Sequence, residues 1–180
     1  CVISRIKVET LPSFDLEYLF LKIRAASIGE IINLTVTCLD DNKTEVEAQI
    51  NINEVTVKKE KGHSTKIMFD KTTGIVMRYP SMKEFVDREF LQKEMKTEEV
   101  YDFIADSIDQ IFDAEEVYDK TTTTKKEFRE FVDGLTTKQF EKIQQFYATA
   151  PKLSHTFKVK NPETGKESEY TIEGLQSFFA

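Results

Sequence analysis

The sequence has no tryptophan, two cysteines (Cys1 and Cys38) and two histidines (His63 and His155). A single Cys1–Cys38 disulfide stays open, but a disulfide framework needs more thiols, so a reducing cytoplasm is the natural compartment. The turn after Cys38, where a zinc knuckle would place a second thiol, holds Asp40 and Asp41, and the two histidines stand apart. Neither zinc nor EF-hand spacing is present, so no metal or cofactor is expected. Cys38 then reads as a small buried hydrophobe. No apolar run approaches the roughly 20 residues of a membrane span. The opening CVISRIKVE is not built as a signal peptide. P-loop, dinucleotide fingerprint, nucleophile elbow and HExxH are all missing, so no catalytic residues are expected. An enzyme acting on cell wall or nucleotides would instead need a pocket with perturbed carboxylates. Cations are the minority charge, 25 Lys and Arg against 32 Asp and Glu, for a net −7. That argues against general nucleic-acid binding and against an anionic membrane surface.

What is present is a 180-residue chain, 39% hydrophobic and 32% charged, with 14 Phe and 6 Tyr. It is long enough for one substantial core or two small ones. Leu11–Glu30, LPSFDLEYLFLKIRAASIGE, reads as one helix over about 14–27. Ser13 can cap its start, Asp15 and Glu17 suit the positive end of the dipole, and Gly29 suits a left-handed stop. At about 100° per residue it has two apolar faces rather than one. Leu16, Leu19, Phe20 and Ile23 form the first, and Phe14, Tyr18, Leu21 and Ala25 the second. The first face is expected to pack on the sheet of its own domain. Phe14, Tyr18 and Leu21 are then left to the helical block or to a partner.

The remainder reads as α+β, with strands and helices segregated along the chain. Block 1–80 is the helix plus antiparallel hairpins. Ile32, Leu34, Val36 and Cys38 alternate, Asp40–Lys43 turns, and Val46, Ala48, Ile50 and Ile52 alternate again. Val55 and Val57 continue this or make a third strand. Ile67 and Phe69, then Ile75, Met77 and Tyr79, make a second hairpin. Block 81–149 is helical, with helices at 82–93, 97–114, 125–133 and 137–148. Ser81/Glu84, Thr124/Glu127 and Thr136/Gln139 fit capping boxes. Block 150–180 is a C-terminal hairpin and tail packing on the rest, pairing Phe157 and Val159 with Tyr170 and Ile172.

Three features suit contact with another protein. Helix 97–113 has an apolar stripe of Val100, Ile104, Ser107, Ile108 and Ile111 and an opposite side holding Asp102, Asp106, Asp109 and Asp113. No Lys or Arg falls between Thr97 and Tyr118. Like charges at this spacing destabilise a helix, and a basic partner would relieve them. Most of the aromatics of 125–148 are expected to be core of a helical hairpin; Phe140 and Tyr147 share a face while Phe146 points away from it, and an exposed aromatic there would suit a protein contact. Phe178 and Phe179, near the chain end, either close the fold or enter a partner.

The segments LPSFDLEYLFLKIRAASIGE, IINLTVTCLDD, GIVMRYPS, VYDFIADSIDQIFD, FVDGLTTKQFEKIQQFYATAPKL and EGLQSFF resemble the baseplate hub assembly protein family of T-even-type bacteriophages, from Cys1 to Ala180. The resemblance implies a non-enzymatic tail-assembly factor, chaperone or adaptor made late in infection. Its partners would be other baseplate hub proteins, with no nucleic acid and no membrane. Its place would be the host cytoplasm or the virion tail baseplate. Family members run longer at the N-terminus and this chain starts without methionine, so a preceding piece is expected. The alternative is an acidic nucleic-acid mimic that inhibits a DNA-binding protein, motivated by the carboxylates of 98–116.

Overall fold

The computed structural model describes residues 7–81, 83–84 and 96–179. Cys1 and the expected helix at 82–93 lie outside these residues, apart from Lys83 and Glu84. The fold is α+β. Four α-helices occur among the described residues: α1 (Ser13–Ser27), α2 (Thr97–Ser107), α3 (Lys125–Asp133) and α4 (Thr137–Ala148). Nine strands, β1 (Ile31–Thr37), β2 (Glu45–Asn51), β3 (Thr56–Lys58), β4 (Lys66–Met68), β5 (Gly74–Met77), β6 (Ile108–Phe112), β7 (Val117–Asp119), β8 (Lys152–Lys160) and β9 (Glu167–Glu173), form three small antiparallel sheets.

The chain groups into two compact units, Cys1–Pro12 with Glu60–Ala150, and Ser13–Lys59 with Pro151–Ala180. These units cut across the sequence blocks 1–80, 81–149 and 150–180. The second hairpin joins the helices because Ile67, Ile75 and Met77 bury against Ile104, Ile108, Phe128 and Phe146. The C-terminal hairpin joins α1 and the first hairpin because Leu153 and Phe178 bury against Leu21, Ile32 and Ile50.

In the second unit β1 pairs with β2 residue for residue, Ile32 with Ile50 and Leu34 with Ala48, and those four side chains are buried. Strand alternation puts one side of the hairpin inward. Val55 and Val57 do lead to a strand, β3, which pairs with β8 rather than with the first hairpin. Phe157 pairs with Tyr170, but Ile172 sits opposite His155 and Val159 opposite Ser168. The two hairpin turns meet through Asn161, whose buried amide donates to Asp40 (2.9 Å) and Asp41 (3.1 Å) while its oxygen accepts from the Glu163 and Thr164 N–H groups. These bonds help hold both carboxyls below the ordinary range; for Asp41 the largest cause is the Thr44 hydroxyl.

In the first unit the four-stranded sheet has the order β4-β5-β6-β7. The capping boxes of α3 and α4 form as the sequence predicts, as does the Ser81/Glu84 pair. The expected helix over 97–114 ends early, at Ser107. Ile108–Phe112 is strand, held between β5 and β7. The last helical carbonyls find partners outside the helix. The Arg78 N–H donates to Ser107 O (2.8 Å), and the Arg78 guanidinium (2.7 Å) and the Lys120 ammonium (2.8 Å) both donate to Asp106 O. Cations at a helix C-terminus also complement its dipole.

Candidate protein-contact surface

On helix α1 the deepest burial falls on the face expected to be left over, while Leu16 and Leu19 of the other face are half-buried. Leu21 is fully buried (0% exposed), with Tyr18 and Ala25 packed against the same cluster of Val55, Leu153 and Phe178. Phe14, in the first turn, is half-buried. Phe20 (50% exposed) and Ile23 (47%) face outward. Burying Leu21 stabilises the unit by about 1.5–3 kcal/mol. As a closed core position it is not itself a contact residue.

The tail completes the outward face. Phe178 closes the fold at 0% exposure, while Phe179 stays 49% exposed. The Phe179 ring meets Phe20 edge-on, with centroids 6.0 Å apart, and the Arg24 guanidinium lies 6.0 Å from its centre. Arg24 is fixed by a 2.7 Å hydrogen bond to Gly29 O, just past the end of the helix. Glu17 on α1 accepts the Leu175 N–H (3.2 Å) and so anchors the 3-10 turn Leu175–Phe178 that leads to Phe179. Burial of Glu17 raises its carboxyl pKa, opposed by that hydrogen bond. Phe20, Ile23 and Phe179 thus form an apolar surface held in place from both chain segments.

The acidic row of the sequence does not survive as one face. Only Asp102 and Asp106 lie on α2; Asp109 is on β6, and Asp113 starts the following turn. Arg129 of α3 reaches Glu98 (2.5 Å), Asp102 (2.9 Å) and Asp133, and its guanidinium sits 5.0 Å from the Tyr101 ring centre. Lys125 pairs with Asp106 at 3.0 Å. Asp113 accepts the Glu115 and Glu116 N–H groups (2.9 Å each), which lower its pKa. The cations that relieve this row come from the next helix of the same chain. Part of the carboxylate array that motivates the nucleic-acid-mimic alternative is thus neutralised within the chain.

Phe146 belongs to the core of the helical block. It is buried at 3% and stacks on His63 (5.2 Å) and Tyr79 (5.4 Å). The His63 ring nitrogens sit 2.8 Å from Thr149 Oγ1 and 2.7 Å from Tyr79 Oη, a structural clamp that sequence spacing did not reveal. A cleft of about 310 Å³ beside it is lined by Lys61, Lys66 and Lys142. Among the described residues no group of three or more His, Cys, Asp or Glu could hold a metal ion. No described helix is long and apolar enough to cross a membrane.

The family model described as T4 bacteriophage base plate protein matches residues 1–180. No curated protein and no solved structure matches.

Proposed function

The chain belongs to the T4 bacteriophage base plate protein family, and from that premise we propose that it is a non-enzymatic assembly factor or adaptor of the baseplate hub. It acts in the host cytoplasm by binding other hub proteins, whether or not it stays in the finished tail. The observation that carries this reading is the outward half of α1. Phe20, Ile23 and Phe179 are large apolar side chains left about half in water on a rigid support. Aromatic anchors with an arginine beside them are the composition of an interface centre. Exposed apolar clusters of this kind mark contact sites in soluble proteins. The fitting occupant is an apolar surface on another baseplate protein. Phe14 and Tyr18 act from behind, by holding the helix at the angle that presents Phe20 and Ile23. Asp109 and Asp113 of the acidic row are exposed and engaged by none of the ion pairs above, which leaves them for an added polar contact.

The test is co-purification from infected cells. Tagged wild-type chain should bring down other baseplate proteins, and a Phe20→Ser, Phe179→Ser double variant of equal thermal stability should not. Equal recovery with both would place the contact elsewhere.

A further inference from the structure

The strand edges of this protein are unequally protected. An edge strand offers unpaired N–H and C=O groups to any other strand, and proteins blunt it with charge, proline or shortness. On β4 the Lys66 N–H donates to Ser64 Oγ (3.1 Å), and Met68 O accepts from the Lys142 ammonium (2.6 Å). β3 and β7 are 3 residues each. β2 carries Glu45 and Glu47, and β9 carries Glu167, Glu169 and Glu173. β1 has none of these devices. It is 7 residues, IINLTVT, without charge or proline, and it pairs with β2 with no break in register.

The direction of its open groups follows from the ladder. The Ile52 N–H donates to Glu30 O (2.8 Å) and the Cys38 N–H to Thr44 O (2.7 Å). Even-numbered residues of β1 therefore bond to β2, and odd-numbered ones point the other way. Thr37 O accepts from the Tyr170 hydroxyl (2.9 Å). The N–H and C=O groups of Ile31, Asn33 and Thr35 have no hydrogen-bond partner among the described residues, and all three residues are exposed.

We propose that β1 is a homodimerisation edge, pairing antiparallel with β1 of a second copy about a two-fold axis at Asn33. Only the register with Asn33 opposite Asn33 uses the three open residues and no others, placing Ile31 opposite Thr35 on both sides. It forms about six main-chain hydrogen bonds, because each such pair exchanges two. A second copy fits because an antiparallel edge is self-complementary under a two-fold. The facing side chains, Ile31, Asn33 and Thr35, bring no like charges together. The β2 edge, with Glu45 and Glu47, would repel its own copy. A strand edge alone buries less than the ~1,000 Å² of a stable interface, so the dimer is concentration-dependent. Its seam is uncharged, so it is insensitive to salt. This contact is separate from the α1 surface and does not depend on the assembly role.

Sedimentation of the full chain over a range of concentrations, at low and high salt, tests it. The wild type should shift from monomer to dimer at both salt levels. Asn33→Lys sets two ammonium groups across the axis. Thr35→Pro removes an N–H that β2 does not use, and edge strands accept proline. Both variants should remain monomeric with the wild-type melting temperature; if one fails to fold, the other decides. A wild type that stays monomeric throughout would overturn the proposal, including the case in which β1 instead takes an extended segment of another protein. A dimer that persists in the folded variants would overturn it equally.

Discussion

The ring of Phe179 stands edge-on to the ring of Phe20 at 6.0 Å, and each is left about half exposed. One belongs to the first helix of the chain and the other to its C-terminal end. Their meeting makes a surface that neither segment holds alone. Fixing Phe179 through Glu17 and Arg24 reduces the side-chain freedom lost on binding, which otherwise costs about 0.5–1.5 kcal/mol per mobile side chain.

The inside and outside of α1 are separable by substitution. Leu21→Ala should cost about 2–5 kcal/mol of unfolding free energy, as cavity-forming changes do. Phe20→Ala should cost less than about 1 kcal/mol, since half its surface is already in water. Chemical denaturation of both variants checks this, and equal losses would mean that both faces are core.

Two carboxyls should act on stability in opposite pH windows. Hydrogen bonds and ion pairing from Arg78, with help from Ser81, lower the Glu84 pKa from 4.5 to about 2. Its stabilising contribution is therefore complete above its ordinary pKa and lost as pH falls toward about 2. Glu17 is shifted upward by burial. Its contribution is complete below its ordinary pKa and lost as pH rises through the raised value. Glu84→Gln should lower the melting temperature at neutral pH and lose that effect in acid. Glu17→Gln, whose amide oxygen can still accept the Leu175 N–H, should raise it at neutral pH. Melting curves across the acid range distinguish the two.

Arg129 gathers three carboxylates, Glu98, Asp102 and Asp133. Arg129→Leu leaves them together without a cation. The variant should be less stable than wild type at neutral pH and low salt. The deficit should shrink in high salt and as the carboxylates protonate. A deficit independent of both would mean that Arg129 acts through its packing on Tyr101.

Gly74 should not tolerate a side chain. A Cβ there would collide with Ile67 O and lie 2.6 Å from Phe112 Cζ. Gly74→Ala should cost about 1–3 kcal/mol, as overpacking does, measured by urea unfolding.

Much of this fold is legible in sequence because its signals are local. The Thr124/Glu127 and Thr136/Gln139 boxes fix the starts of α3 and α4 within four residues of chain, and the alternation of Ile32–Cys38 and Val46–Ile52 fixes a hairpin. The features that are not legible depend on remote partners. Both faces of α1 are apolar, so periodicity cannot choose between them. The choice is made by Val55, Leu153 and Phe178. Ile104, Ile108 and Ile111 fit a helical stripe, and nothing local ends it. The helix stops because Arg78 and Lys120 take its last carbonyls while β5 and β7 pair with Ile108–Phe112. The acidic row looks free in sequence because its cations, Lys125 and Arg129, lie beyond the stretch that has no Lys or Arg. Of the candidate site, Phe179 stands out in the sequence, whereas helical periodicity assigns Phe20 and Ile23 to the core.

The most direct measurement is complementation of tail assembly by a Phe20→Ser, Phe179→Ser double variant in cells infected with phage lacking the wild-type protein. Thermal melting of the purified variant is the control. A contact surface on α1 predicts a melting temperature close to that of the wild type and few or no assembled tails. Normal tail yield from the folded variant would contradict it, because the chain would then do its work without the surface that Phe20 and Phe179 form.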